Sequence, residues 1–506
     1  MSNTILKFET LVERVARLKA DGSKVVLCHG VFDLLHIGHI RHLEQARKMG
    51  DALVVTLTPD CFVNKGTHRP AFQEALRAEA IAALSVVDYV AINNWPTAVE
   101  AIRLLRPDVY CKGGEYRQQQ VDEENNLLPE IRAAEETGVR VEYTDDIVFS
   151  SSQLLNSYFS PFPAETDAWL QVFRKERTSD EIVRYLDKMR PLNVLVVGEA
   201  IVDEYILCNT IGKSTKDPIL ACQYISTEVF AGGSLAVANH LADFCDHVGL
   251  VACLGETEHR EDFIRRALLP NIDPMFVTKQ DAPTIHKRRF VDQYSQNKLL
   301  ELYIMNDSPL QGKDEKRLLE ILDGVVKNYD VVIIADYGHG MMTSLATGTL
   351  CNKARFLAVN TQSNAGNRGF NSISRYLRAD YVCLATHEIR LETRMREGNS
   401  HALLTEVAQR IDCPCFTETR GKWGSLHYTP QSGFIEVPAF ATRVSDRVGG
   451  GDAVLAMTSL MVAQGAPWDI VGFVGNLAGA QVVTELGNRC PVNKLALAKH
   501  IISLLK

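Results

Sequence analysis

Lys24-Val-Val-Leu-Cys-His-Gly-Val-Phe-Asp-Leu-Leu-His-Ile-Gly-His-Ile40 decides the fold of the N-terminal part of the chain. Its opening, Lys24 to Cys28, is an apolar, β-branched run that reads as a buried strand, and Gly30 punctuates its end. A turn then delivers His36-Ile37-Gly38-His39 to a helical pattern that continues to about Met49, where Gly50 and Asp51 stop it. A glycine lets the backbone approach phosphate closely, and a helix N-terminus offers unpaired N–H groups. Imidazoles add hydrogen bonds to anionic oxygens. Taken alone, His-x-Gly-His also fits a pair of ordinary loop histidines.

Outward from this stretch, apolar positions at helical spacing predict a lead-in helix over Ile5 to Ala20. Further strands are expected at Ala52 to Leu57, Asp88 to Ile92, Asp108 to Cys111 and Val139 to Tyr143. Helical patterns such as Ala71 to Leu84 and Thr97 to Leu105 separate them. Such alternation means a parallel sheet covered by helices on both faces. Ligands of these sheets bind beyond the carboxyl ends of the strands, where the His-x-Gly-His turn falls.

Gly30-Val31-Phe32-Asp33-Leu34-Leu35-His36-Ile37-Gly38-His39 resembles the signature of the cytidylyltransferase-like nucleotidyltransferases. More narrowly, it is similar to the nucleotidyltransferase half of the bifunctional heptose kinase/adenylyltransferases. The similarity runs on through Lys65, Arg69-Pro70, Lys112-Gly113-Gly114-Glu115-Tyr116 and Ser150-Ser151-Ser152. It implies a Rossmann-like nucleotidyltransferase domain over 1–158, with His36 and His39 as the catalytic pair. It also implies a nucleotide site containing Gly30, Phe32, Asp33, Gly38, Lys65, Lys112, Gly113, Ser150 and Ser151. Phe32-Asp33-Leu34-Leu35 resembles the cytidylyl branch as well, so ATP and CTP both remain open as the nucleotide.

At 506 residues the chain suggests two or three domains, and 46% apolar with 23% charged residues is ordinary for a globular protein. A net charge of −8 argues against general nucleic-acid binding. No signal peptide is expected at Met-Ser-Asn-Thr-Ile-Leu-Lys-Phe-Glu, and no apolar run approaches bilayer length, so no membrane partner is expected. The twelve cysteines are scattered, with Cys413-Pro414-Cys415 the closest pair, and read as reduced thiols of a cytoplasmic enzyme.

The pattern breaks at Ser160-Pro161-Phe162-Pro163, and a charged helical stretch from Thr166 to Met189 reads as a connecting segment, 159–190. From Asn193 the alternation resumes. Val194 to Val197 is expected as a strand ending at Gly198-Glu199, with Asp203 close behind. A carboxylate there suits sugar hydroxyls or a helix cap. Ala231-Gly232-Gly233-Ser234 opens a helix over Leu235 to Phe244, and its glycines fit a close substrate or a tight turn. Strands follow at His247 to Ala252, Val331 to Ala335, Phe356 to Val359, Tyr381 to Leu384 and Cys415 to Glu418. Asp446-Arg447-Val448-Gly449-Gly450-Gly451-Asp452 runs into a helix over Ala453 to Val462. Three glycines before a helix gather N–H groups into an anion hole, and an aspartate in its first turn is placed to take a proton from an attacking hydroxyl. A flexible turn with an acidic helix start is the plainer reading.

Residues from about 190 to 490 resemble the ribokinase-like (PfkB) sugar kinases, and within them the heptose kinases. The resemblance implies a kinase domain over 191–506 with a small β lid built from Tyr205 to Cys208, Ile219 to Ile225 and Arg288 to Tyr303. By it Asp452 is the catalytic base, and Gly449, Gly450 and Gly451 form the anion hole. Thr419, Gly421, Gly424 and Asn476 lie by the nucleotide. Asp203, Gly232 and Gly233 are the sugar side, and Lys287 and Arg289 reach a sugar phosphate. Mg²⁺ is implied for both halves, with Glu388 contributing through water in the kinase. Several positions depart from the family pattern. Ala236 replaces an Asn, Ala385-Thr386-His387-Glu388 stands for Asn-x-x-Glu, Glu301-Leu302-Tyr303 for Arg-x-Asp, and Asn360-Thr361-Gln362 for Asp-Pro-Lys. The order of the two halves is also reversed relative to the usual bifunctional heptose enzymes.

The expected whole is therefore an α/β chain of two doubly wound parallel-sheet domains. It would phosphorylate a heptose-like sugar with ATP and join a sugar phosphate to a nucleotide for a surface glycan. The alternative is a monofunctional nucleotidyltransferase whose kinase-like half regulates or oligomerises. A homodimer through the lid sheet is expected in either case.

Overall fold

The computed structural model describes residues 4–63, 70–114, 127–144 and 161–506. The chain divides into two compact units, Met1–Pro161 with Ile502–Lys506, and Phe162–Ile501.

In the first unit, α1 (Phe8–Ala20) precedes β1 (Val25–Gly30), α2 (Ile37–Arg47), β2 (Ala52–Leu57) and α3 (Glu74–Ala82). Then come β3 (Tyr89–Ile92), α4 (Val99–Leu105), β4 (Val109–Lys112), α5 (Leu127–Thr137) and β5 (Arg140–Tyr143). The five strands form one parallel sheet in the order β3-β2-β1-β4-β5. Alternation along β1 explains the two-sided core. Val25 and Leu27 join Phe8, Leu11, Ala101 and Tyr110 on one face, while Val26 and Cys28 join Leu43, Leu53, Ile81 and Cys111 on the other. The order reverses between β1 and β4, so the crevice of a doubly wound sheet opens beyond Gly30 and Lys112.

Helix α3 starts three residues later than the periodicity predicts. The N–H groups of Ala71 and Phe72 donate to the Asp33 carboxylate at 2.6 and 3.4 Å instead of entering the helix. Arg77 in α3, 1% exposed, donates to the carbonyls of Val31, Thr58 and Phe72 and to Asp60. One guanidinium thus ties together the loops that follow β1 and β2. Its five donors make such a buried charge tolerable.

In the second unit, the helices Ala164–Glu176 and Ser179–Asp187 pack on its body rather than standing apart as a connector. Trp169 and Phe173 lie against Phe440 and Phe473, and Arg177 pairs with Asp469 at 2.7 Å. The sheet is mixed, not wholly parallel. Its strands are β6 (Asn193–Lys213), β7 (Leu220–Gly233), β8 (His247–Thr257), β9 (Ile272–Pro283), β10 (Ile285–Asp292) and β11 (Lys298–Ile304). They are followed by β12 (Val331–Asp336), β13 (Leu357–Thr361), β14 (Tyr381–Ala385), β15 (Phe416–Thr419), β16 (Ser425–Thr429) and β17 (Gly433–Val437). The body runs parallel through β9-β8-β6-β12-β13-β14-β15 and ends in antiparallel β16 and β17.

Strand β6 corrects the sequence reading. It does not end at Gly198-Glu199 but runs 21 residues, through Asp203 and into the lid. A Cβ at Gly198 would lie 2.1 Å from the Ala335 carbonyl oxygen. That glycine serves close strand approach, not termination. Beyond it β6 pairs antiparallel with β7 and parallel with β10, which pairs with β11, and these four make the lid sheet.

Candidate active sites

The first candidate site lies at the β1–α2 turn. His36 caps α2, its Nδ1 accepting from the Gly38 N–H at 3.1 Å, which leaves the proton of a neutral ring on Nε2. The His36 and His39 rings stack with centroids 4.0 Å apart, and Phe32 meets His39 edge-on at 5.3 Å. Phe32 holds φ at 46°, a left-handed conformation uncommon for a bulky residue and characteristic of strained functional turns. A Cβ on Gly30 would lie 3.2 Å from the Phe32 ring, so the glycine lets that ring fold back. Asp33 faces the backbone of Ala71 and Phe72, where it shapes the loop around the pair.

Across the crevice, Lys112 ends β4 and pairs with Glu130 of α5 at 2.9 Å. Glu130 also accepts from the Tyr110 hydroxyl at 2.7 Å and the Ala98 N–H at 3.0 Å. Burial works against its charge, yet Lys112, His29 and the Ala98 N–H together hold the carboxyl below the usual carboxylate range. Gly113 follows directly. His29 is buried between Thr56 at 2.9 Å and Thr58 at 3.2 Å, and burial lowers it to about 4, keeping it neutral. Lys65, Ser150 and Ser151 lie outside the described residues.

The second candidate site gathers where the helix Gly450–Ala463 meets the lid. Gly449 caps that helix with φ 83°, a left-handed conformation that favours glycine, and a Cβ there would lie 2.0 Å from Asn488 Oδ1. Gly450 and Gly451 form the first turn, and Asp452 follows. The Tyr337 hydroxyl donates to Asp452 Oδ1 at 2.8 Å. Desolvation of the Asp452 carboxyl raises it to about 7, with Tyr337 opposing the shift and Asp203 adding to it. Such a value suits a base that takes and returns a proton near neutrality.

On the lid side, Arg289 pairs with Asp203 at 2.5 Å and with Glu301 at 2.8 Å. Gly232 lies against that aspartate, where a Cβ would come within 2.0 Å of Oδ2, and Gly233 at φ 61° turns the chain into the helix Ser234–Ala242. The Lys287 ammonium sits 5.0 Å over the Tyr303 ring and 5.9 Å over that of Tyr337. Tyr303 donates to Glu301 at 3.0 Å. Glu301 and Tyr303, the departures from the family lid motif, thus hold the two basic residues in place.

The residues expected on the nucleotide side lie along one edge. Thr419 closes β15, and Gly421 and Gly424 shape the turn into β16 at φ 58° and 83°. A Cβ at Gly424 would strike the Val437 carbonyl at 2.0 Å. Asn476 donates to the carbonyls of Val437 and Pro438 at 3.1 and 2.9 Å, fixing that edge rather than presenting its amide. Glu388 accepts from the N–H groups of Ala385 and Ser363 at 2.7 and 3.0 Å. Both its oxygens accept from backbone, and burial raises it to about 7.

The sequence reading passed over Tyr337, Glu199 and Asp446. Tyr337 stands in Asp336-Tyr337-Gly338-His339-Gly340, immediately past the strand expected over Val331 to Ala335, the position from which side chains reach such a site. Glu199 accepts from the N–H groups of Tyr337 and His339, both at 3.0 Å, so it sets the loop that aims Tyr337. Burial, with Asp336 adjacent, raises Glu199 to about 7. Asp446 accepts from the Tyr205 hydroxyl at 2.8 Å and from Lys298 at 2.6 Å, linking the glycine turn to the lid.

Two glycine-bearing helix starts, each beside side chains able to handle phosphate, define a chain with two nucleotide-type crevices. Residues 192–494 match the pfkB family of carbohydrate kinases, and residues 27–157 match the Cytidylyltransferase-like family. The chain belongs to the pfkB carbohydrate kinase family and carries a cytidylyltransferase-like domain at its N-terminus. The N-terminal part is 44% identical over 122 residues to the bifunctional protein HldE of Magnetococcus marinus, covering 24% of this chain and 25% of that protein. It is 47% identical over 108 residues to HldE of Koribacter versatilis, covering 21% and 22%. The chain thus spans about a quarter of the length of these curated relatives. A crystal structure of phosphofructokinase-2 from Escherichia coli in complex with potassium matches with TM-score 0.50 at 14% identity, covering 62% of this chain and all of that one, a likeness of fold. Among the described residues no helix is long and apolar enough to cross a membrane.

The Asp452 environment gives a signed prediction. Its folded value of about 7 lies above the 3.8 of an ordinary aspartate, so ionising it costs folding stability, and that cost accumulates between about pH 4 and pH 7. Asp452→Asn removes the cost. Its melting temperature should exceed the parent's at pH 8 and match it near pH 4. An equal difference at both pH values would show that the carboxyl is not raised.

Proposed function

We propose that the chain is a bifunctional enzyme of nucleotide-sugar synthesis that phosphorylates a heptose-like sugar and transfers a nucleotidyl group to a sugar phosphate. The observation that carries the reading is the stacked His36–His39 pair at the N-terminus of α2. In the first unit a sugar phosphate oxygen attacks the α-phosphorus of ATP or CTP. The new P–O bond forms as the α–β bridge breaks, and pyrophosphate leaves. The two imidazoles and the α2 N–H groups stabilise charge developing on the triphosphate oxygens, a type of contribution worth about 10²–10³-fold in turnover per donor. Lys112, held in place by Glu130, and Lys65 neutralise more of it.

In the second unit a sugar hydroxyl gives its proton to Asp452 and attacks the γ-phosphorus, releasing ADP. The N–H groups of Gly449, Gly450 and Gly451 receive the transferring phosphoryl oxygens. Lys287 and Arg289 supply positive charge for a phosphate already on the sugar. Mg²⁺ is expected in both steps, carried by the nucleotide phosphates and water, since Glu388 is committed to backbone and Ala385 offers no ligand. Both reactions draw on nucleoside triphosphates, which supports a cytoplasmic activity.

One observation bears on which sugar the second unit takes. Asp203, the expected sugar ligand, is already held by Arg289. A sugar phosphate would have to draw Arg289 away to free the aspartate's oxygens for hydroxyls, which makes phosphorylated sugars better substrates than free ones.

His39→Ala should lower pyrophosphate release from triphosphate and sugar phosphate by roughly 10²-fold or more while ADP formation by the same protein is unchanged. A parallel fall of both, with the fold intact, would contradict two independent sites.

The lid sheet exposes Ile211, Tyr224, Leu300 and Leu302, an apolar face suited to a second copy of the chain across a two-fold axis. Light scattering at micromolar concentration should report a dimer, and Leu300→Glu a monomer. A monomeric parent protein would remove the lid interface.

A further inference from the structure

We propose that Cys28, His42 and Cys111 form a zinc-class cation site in the first unit, separate from the Mg²⁺ that nucleotide phosphates carry. One donor atom from each of the three lies within 4.8 Å of the other two. Cys28 and Cys111 are register partners on the adjacent parallel strands β1 and β4, so their side chains leave the sheet on the same face. Both belong to the apolar layer between that face and α2, together with Leu43 and Ala46. His42 comes down from α2 to meet them.

Core packing accounts for the two thiols, since cysteine behaves as a small hydrophobe. It does not account for an imidazole at the same point. The His42 ring is oriented by Thr144, whose Oγ1 lies 2.9 Å from Nδ1, and Thr144 is itself buried and bonded through its N–H to the Lys112 carbonyl at 3.0 Å. That partner leaves Nε2 as the nitrogen to offer. A hydrogen bond on the distal nitrogen is how proteins fix the tautomer and direction of a ligating histidine.

Donor chemistry selects the ion. Two thiolates and an imidazole are soft-to-borderline ligands that prefer zinc-like cations and disfavour Mg²⁺ and Ca²⁺. Donors around tetrahedral zinc sit roughly 3.3–3.8 Å apart, so side-chain rotation by about an ångström closes the set, with water as the fourth ligand. On binding, the divalent cation displaces one proton from each thiol and none from the neutral ring. Two protons are released and the buried centre carries no net charge. Lys112, next to Cys111, is balanced by Glu130 at 2.9 Å. A cation held there would pin α2, whose first turn carries His36 and His39, to the two central strands.

The test uses the full-length chain. Protein saturated with Zn²⁺ and passed over a chelating resin should retain about one zinc per chain. Co²⁺ in its place should give the visible d–d bands of a tetrahedral site and a thiolate-to-cobalt charge-transfer band in the near-ultraviolet. Cys28→Ser and His42→Gln should each lose the metal and the cobalt spectrum, while Cys61→Ser, at an exposed thiol, should keep both. Far-ultraviolet dichroism checks that each variant is folded. His42→Gln leaves the strands untouched and decides the matter if Cys28→Ser does not fold. The proposal is overturned if the parent binds no cobalt with thiolate character, if His42→Gln retains metal like the parent, or if Cys28 and Cys111 are isolated as a disulfide.

Discussion

A parallel sheet with both faces buried leaves only one place for chemistry, the carboxyl ends of its strands. Both units obey this constraint. In the first, every residue of β1 and β2 up to Leu57 is buried or nearly so, and polar function begins where β1 stops, at Gly30. In the second, Tyr337 follows β12, Thr419 ends β15 and Asp203 extends β6 past the body of the sheet. Helices supply the other half of each site by turning their N-termini toward those ends. The phosphate-handling groups are therefore mostly backbone N–H, set by the fold, with a few side chains added.

Buried charge in these crevices is managed by pairing. Arg77 satisfies its donors on three carbonyls and a carboxylate, and Glu130 balances Lys112. Arg289 joins Asp203 to Glu301. Breaking such a pair by removing one partner typically costs about 3–5 kcal/mol, because the remaining charge stays desolvated. Asp452 and Glu199 are different. Among the described residues neither has a bonded cation and each is left near 7, and they are connected through Tyr337, whose hydroxyl reaches one and whose N–H reaches the other. The raised Asp452 carboxyl follows from its burial, to which the neighbouring Asp203 adds and which the Tyr337 hydroxyl only partly offsets.

Much of this was legible from residues. The strand runs of the first unit fall within a residue or two of the observed ones because apolar, β-branched runs bounded by turns are strong signals. Gly449 to Asp452 sits as the glycine run implied, at a helix start. What could not be read were effects of distant partners. Gly198 looked like a strand end because its reason for being glycine is the Ala335 carbonyl, 137 positions away in the chain. The lid strands were fragmentary in the sequence because their outer face is exposed and weakly patterned. Asn476, Glu388 and Asp33 bear on the sites by holding backbone, a role that spacing alone does not distinguish from ligand contact.

The account's central claim is that one chain carries out two successive phosphate chemistries on a sugar. Phosphorus-31 NMR of the full-length protein with Mg²⁺, ATP, CTP and a panel of heptoses and heptose phosphates follows both at once. The account predicts that a new sugar phosphate resonance, that of a bisphosphate where a heptose phosphate is the substrate, grows as ADP appears, and that a pyrophosphate-linked sugar nucleotide forms from a heptose phosphate together with free pyrophosphate. Consumption of ATP without either sugar product, or no change in any resonance across the panel, would contradict it.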